Sequence, residues 1–192
     1  CQKIAAGITR KFLGERPIKA LLDPYNPVGS SAHVRFNTSR PDRWETSSAR
    51  CHVNWVILDS DWEAEFCRVV EKHPRVLSYV KNHNLGFEVP YRSGSDSRRY
   101  RPDFIILVDD GNGADDPLHL VVEIKGRRGE DAKEKANTMR QYWIPAINND
   151  GTFGRWAVAE FTDVYAMEAD FSATLEAAVN ALLGPPMEPA HA

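Results

Sequence analysis

Two carboxylates and a lysine stand in this sequence where charge is costly. Asp103 opens the apolar run Phe104-Ile-Ile-Leu-Val108, and Glu123 interrupts Leu120-Val-Val-Glu-Ile124, with Lys125 directly after it. An ionised carboxylate among apolar neighbours is penalised unless it is paired or bound to a metal. Carboxylate oxygens at a partly desolvated edge suit Mg2+, which takes one or two protein carboxylates and completes its shell with water and phosphate. Such an ion can polarise a phosphodiester and lower the pKa of a water molecule. The ammonium of Lys125 can place that water or stabilise charge developing on phosphate. The expected chemistry is phosphodiester hydrolysis, with Asp103 and Glu123 as metal ligands, Lys125 beside them, and Mn2+ able to replace Mg2+. Each residue also has a plainer reading. Asp103 can cap the start of a strand, and Glu123 with Lys125 can be an exposed pair on an edge strand ahead of a turn at Gly126. A bare D…ExK spacing arises often by accident. Pro102 before the aspartate and two adjoining apolar strands raise its value here.

Those side chains meet only if the surrounding elements bring them together. Arg101–Val108 and Leu118–Lys125 have the composition of strands, and Asp109, Asp110, Gly111, Asn112 and Gly113 supply turn chemistry between them. An antiparallel pair is expected. Residues two apart on a strand share a face, so Glu123 and Lys125 point the same way. The nearly continuous apolar runs predict burial on both faces. Ahead of this pair, Ser60 or Asp61 can cap a helix whose stripe is Trp62, Phe66, Val69 and Val70, stopped by Pro74. Val76, Leu77 and Val80 predict a short second helical segment, ended near Asn84 and Gly86. Beyond the pair, Ala132, Ala136, Met139 and Trp143 mark one face of a helix over 129–148, which Pro145 bends or ends. Trp156–Phe161 predicts a strand and Phe171–Leu183 a last helix. The expected fold is α/β, with a central mixed sheet flanked by helices.

That domain is expected over 59–184. Residues 1–58 form a lead-in with a candidate helix at Lys11–Leu22, a turn-rich stretch after Asp23, and candidate strands at Val34-Arg-Phe36 and His52–Leu58. The Pro-rich tail, 185–192, is expected to be disordered. The chain opens on Cys1, not methionine, and a piece of a longer protein is expected. The 192 residues are 42% hydrophobic and 27% charged, ordinary for a globular domain. No apolar run approaches the roughly 18 residues of a membrane helix. Three cysteines without close pairing argue against a disulfide framework or a cysteine zinc site, and for a reducing, cytoplasmic setting. The formal net charge of −3 is awkward for a partner of nucleic acid. Contact with DNA would rest on local clusters: Arg98, Arg99 and Arg101 before Asp103, and Arg127 and Arg128 after Lys125. Each cluster has solvated loop charge as its plainer reading. The histidines show no metal spacing, and His119 is expected to be structural. Cys67, Trp143 and Trp156 are expected in the core. There is no Gly-rich phosphate loop, so no ATP site is expected.

The segments Tyr100-Arg-Pro-Asp103 and Leu120-Val-Val-Glu-Ile-Lys-Gly126 resemble the PD-(D/E)xK nuclease superfamily. Ser60-Asp-Trp-Glu63, Val80-Lys-Asn82, Leu85-Gly-Phe87, Pro90-Tyr91, Trp143, Asn148 and Gly154-Arg-Trp156 extend this. Together they resemble the C-terminal endonuclease domain of type III restriction subunits and their helicase–nuclease relatives, over about Asp59 to Asp163. Fainter echoes stand at Asn54 and Leu22-Asp-Pro-Tyr25. The resemblance implies a restriction-endonuclease-like core, Mg2+-dependent cleavage of DNA and defence against foreign DNA. It implies an upstream helicase motor in the full-length chain and a DNA-recognition or methylation subunit. Separately, cutting both strands needs two active sites or two visits, which makes a transient homodimer a further candidate partner. The resemblance also implies that Glu63, on the first helix, joins the metal site and that Lys135 contacts phosphate. Against these, Glu63 has the reading of a first-turn acid favoured by the helix dipole, and Lys135 that of a solvated face. The rival from another class is a non-catalytic DNA-binding or subunit-docking module on the same fold, needing no divalent ion.

Overall fold

The computed structural model describes residues 29–93, 95–125 and 132–183, together with a short antiparallel pair, β1 (Ile4–Ala5) and β2 (Leu21–Leu22). The centre is a four-stranded sheet of β5 (Val76–Lys81), β8 (Phe104–Val108), β9 (Leu118–Ile124) and β10 (Arg155–Phe161). Their order across the sheet is β10-β9-β8-β5. β5, β8 and β9 run antiparallel to their neighbours in that series, and β10 lies parallel to β9. A parallel neighbour requires a crossover, since no tight turn can join two strands of one direction. The helical stretch between β9 and β10 supplies it: α2 (Ala132–Thr138), a π-helical turn at Met139–Trp143, and α3 (Ile144–Asp150). α1 (Asp61–Lys72) and α4 (Met167–Leu183) complete the layers. The fold is the expected mixed α/β core with helices flanking the sheet.

The alternation of side chains on β8 and β9 divides the core in two. Phe104, Ile106, Val108, Leu118, Leu120 and Val122 join Phe66, Val70, Phe161 and Phe171 on the side of α1 and α4. Ile105 and Val121 face the other way, onto Phe87, Tyr100, Met139, Trp143, Ile147 and Trp156. Both faces are dry, which is why these strands read as unbroken apolar runs. Cys67, Trp143 and Trp156 are buried, as expected.

Several expectations are corrected. Val76–Lys81 is a strand, not a helical segment, and pairs with β8 through Tyr79↔Ile106 and Val80↔Ile105. Six residues are too few for periodicity to separate the two forms, and the free edge of β8 decides. Val34-Arg-Phe36 forms no strand; Val34 instead ends a 3-10 turn at Ser31–His33. The sheet strand after Pro102 starts at Phe104, so Asp103 stands just ahead of it. Of the two alternatives at Pro145, a bend or an end, the helix does not end: the chain widens into the π turn and resumes as α3. Proline lacks an N–H and clashes with the carbonyl four residues back, here within that turn. A hairpin that periodicity did not suggest, β6 (Val89–Ser93) with β7 (Asp96–Tyr100), rises before Asp103.

A second hairpin, β3 (Arg43–Glu45) with β4 (Trp55–Ile57), belongs to the lead-in, yet Cys51 and Val56 from this region enter the main core. Of the candidate helix at Lys11–Leu22, only Leu21–Leu22 is described, as strand β2. The tail at 185–192 lies outside the described residues. Among the described residues, no helix is long and apolar enough to cross a membrane.

Candidate active site

Asp103 stands immediately ahead of β8. Its N–H donates to the Val122 carbonyl at 3.0 Å, and its carbonyl accepts from the Asn82 N–H at 2.8 Å. Its side chain bridges to β9, with Oδ2 accepting from the Ile124 N–H at 2.7 Å. The preceding peptide is fixed as well. Asn82 donates through Nδ2 to the Pro102 carbonyl at 2.9 Å and to the Phe87 carbonyl at 2.7 Å, while Oδ1 accepts from the Phe87 N–H at 3.2 Å. Asn82 thereby ties the 82–87 loop to the approach to Asp103.

Glu123 stands opposite, one register step beyond the pair Phe104↔Val122. Its Oε2 is buried and, among the described residues, has no hydrogen-bond partner. Burial, then the charge of Asp103, push its carboxyl up to about 8, against the opposing pull of Lys125 and Lys135. Asp103 is pushed up to about 6 by burial; the Ile124 N–H opposes this and the charge of Glu63 adds to it. Each carboxylate is thus held at a cost that a cation would remove.

Lys125 follows the end of β9 and shares the side of Glu123. Its Nζ donates to Glu160 Oε1 at 2.8 Å. Glu160 lies on β10 as the direct register partner of Glu123. It was not among the expected site residues. The signal was present: an acid interrupting Trp156-Ala-Val-Ala-Glu-Phe161, as Glu123 interrupts β9.

Glu63 comes from α1 near enough to act on Asp103, and is buried. Its Oε2 accepts from Lys81 Nζ at 2.5 Å and from the Asp59 N–H at 2.8 Å. Lys81, only 8% exposed, also donates to the Ile57 carbonyl and to Asp59 Oδ2, each at 2.7 Å. Three acceptors satisfy its three N–H groups, which makes a buried ammonium tolerable. Lys81 was the other residue missed, because a lysine at a strand end gives no sign of burial.

The basic residues divide. Lys135 lies over the rings of Tyr91 at 5.7 Å and Tyr100 at 5.9 Å, close enough to bear on Glu123. Arg98 is on the exposed hairpin, 3.8 Å from Asp96. Arg99 and Arg101 both clamp Glu88, at 3.0 and 2.6 Å. Arg127 and Arg128 lie outside the described residues. His119 is structural: its ring stacks on Trp156 at 4.5 Å, and Nδ1 lies 3.3 Å from the Arg155 carbonyl.

Among the described residues, no three His, Cys, Asp or Glu side chains form a ready metal cage. The orphaned oxygen of Glu123 beside Asp103 nonetheless fits a hard divalent ion, which takes few protein ligands and leaves room for water and phosphate. No similar chain was found among curated proteins or among solved structures. A family model described as an endonuclease domain matches residues 49–144, half of the chain. The match spans Glu63, Lys81, Asp103, Glu123, Lys125 and Lys135, and this chain belongs to that endonuclease-domain family.

Proposed function

We propose that this domain is a Mg2+-dependent DNA endonuclease, the cutting module of a restriction-type helicase–nuclease of the type III kind. The observation that carries the metal reading is the unpartnered, buried Oε2 of Glu123 beside Asp103. Asp103 and Glu123 would hold the ion, with Mn2+ as a substitute. When bound, it supplies positive charge against the scissile phosphodiester. Asp103 is oriented for this by the Ile124 N–H and by the Asn82 latch. Lys125 presents an ammonium one strand-repeat from Glu123 and stabilises charge on the phosphate oxygens. Glu63 would join the ligands by exchanging the Lys81 ammonium for the ion. Lys135 and the hairpin arginines give the phosphate backbone cationic contacts. The motor, the recognition subunit and a transient second copy belong to the same proposal, as does the cytoplasmic setting.

The test is cleavage by purified variants. Asp103→Ala and Lys125→Ala are each expected to abolish Mg2+-dependent cutting of DNA while retaining the parent's circular dichroism. Parental cutting by either variant would refute the site. Calorimetric titration with Mn2+ separates the rival reading: a non-catalytic module would show no ion bound at Asp103 and Glu123.

A further inference from the structure

Among the described residues, Lys125 and Lys135 both bear on Glu123, yet neither closes on its Oε2. Lys135 is drawn over the faces of Tyr91 and Tyr100. Lys125 is the nearer problem. It lies two residues along from Glu123 on the same side, is only 10% exposed in its side chain, and carries a flexible four-carbon stem. An ammonium so placed has every reason to pair with an unpartnered carboxylate. It leans instead across to β10, onto Glu160 Oε1 at 2.8 Å. Arg140, from the π turn, approaches the second oxygen of Glu160 at 3.7 Å.

Glu160 itself needs explaining. It stands side by side with Glu123 across two parallel strands. Like charges directly opposite on adjoining strands are destabilising, and Glu160 adds to the forces that disfavour ionised Glu123. It does not complete a three-carboxylate cage. Its two oxygens face the Lys125 ammonium and the Arg140 guanidinium.

We propose that Glu160 is a positioning residue that holds the Lys125 ammonium on β10, so that it cannot close on Glu123 and fill the place of a divalent ion. This rests on the metal reading above. Without Glu160, Lys125 swings onto Glu123, and metal must displace an ion pair to bind.

A double-mutant cycle read by Mn2+ calorimetry tests this, using the whole chain as wild type, Glu160→Gln, Lys125→Met and both together. Glu160→Gln is expected to weaken Mn2+ binding about tenfold when Lys125 is present, a coupling within the range seen for touching residues. In the Lys125→Met background the same change should cost less than about twofold, because no ammonium remains to misplace. Equal losses in both backgrounds would mean that Glu160 acts only through its field, and no loss would mean that it does not guard the site. Either result overturns the proposal. Should Glu160→Gln fail to fold, Glu160→Asp takes its place in the cycle; a smaller loss, again confined to the Lys125 background, is then expected. Wild-type protein that binds no Mn2+ sinks the metal reading itself, whereas a wild type that binds Mn2+ with a flat cycle sinks only the role of Glu160.

Discussion

Burial and the charge of Asp103 favour the protonated form of Glu123, and this has a consequence for stability. Its pKa rises from 4.5 to about 8 on folding, and that of Asp103 from 3.8 to about 6. A raised carboxyl pKa means that the folded state binds more protons, so these groups favour folding at low pH and lose that advantage as pH climbs through the folded values. In chelator, the melting temperature contributed by this pair is expected to fall between about pH 4 and pH 8. Scanning calorimetry of Glu123→Gln should show a shallower fall; an unchanged slope would contradict the assignment. On the proposal that Asp103 and Glu123 hold the ion, Mn2+ binding should tighten over the same interval and release protons. At this scale the sequence was legible where an acid broke an apolar run, as at Asp103 and Glu123. Glu160 gave the same sign without a motif to draw the eye. The burial of Lys81 was not legible, because it depends on Ile57, Asp59 and Glu63 arriving from other elements.

The elements that carry the site are fixed by packing that local pattern only partly foretells. Phe66 on α1 touches the rings of Phe104, Phe161 and Phe171 at 5.0 to 5.9 Å, joining β8, β10 and α4 around one buried side chain. Phe66→Ala is expected to cost about 3–5 kcal/mol in guanidinium unfolding, since the cavity lies between elements that cannot all collapse into it. The turn into β10 is set by Gly154, with φ of 75° and a Cβ position that would lie 3.2 Å from His119 Cε1. Gly154→Ala should therefore lose about 1–2 kcal/mol in thermal melts from left-handed backbone alone. Part of any further loss should return on trimming His119, which stacks on Trp156 beside it. The stripes of α1 and the runs of β8 and β9 were readable because their periods match their burial. β5 was misread as helical because six residues carry too little period, and its partner β8 lies more than twenty residues away in sequence.

For the whole molecule, a formal net charge of −3 sets the problem that a nuclease of this kind must solve locally. Acidic groups gather at one end of the sheet, and Arg99 and Arg101 are already engaged with Glu88. A divalent ion would relieve the repulsion between Asp103 and Glu123, so binding should be visible as stability. Mn2+ at about 100 times its dissociation constant should add about 2.7 kcal/mol, and thermal shift should detect it. The gain should vanish in the Asp103→Asn, Glu123→Gln double variant; if it persists there, the ion sits elsewhere. The sequence by itself determined the α/β class, the two central strands, their antiparallel pairing and the acid–acid–lysine set, because each is written in neighbouring residues. Only the tertiary structure decided that β10 runs parallel beside β9. That placement sets Glu160 against Glu123 and draws Lys125 away. It likewise decided that Lys81 lies buried against Glu63. These contacts join residues 18 to 37 positions apart, and nothing in the spacing of either partner records the other.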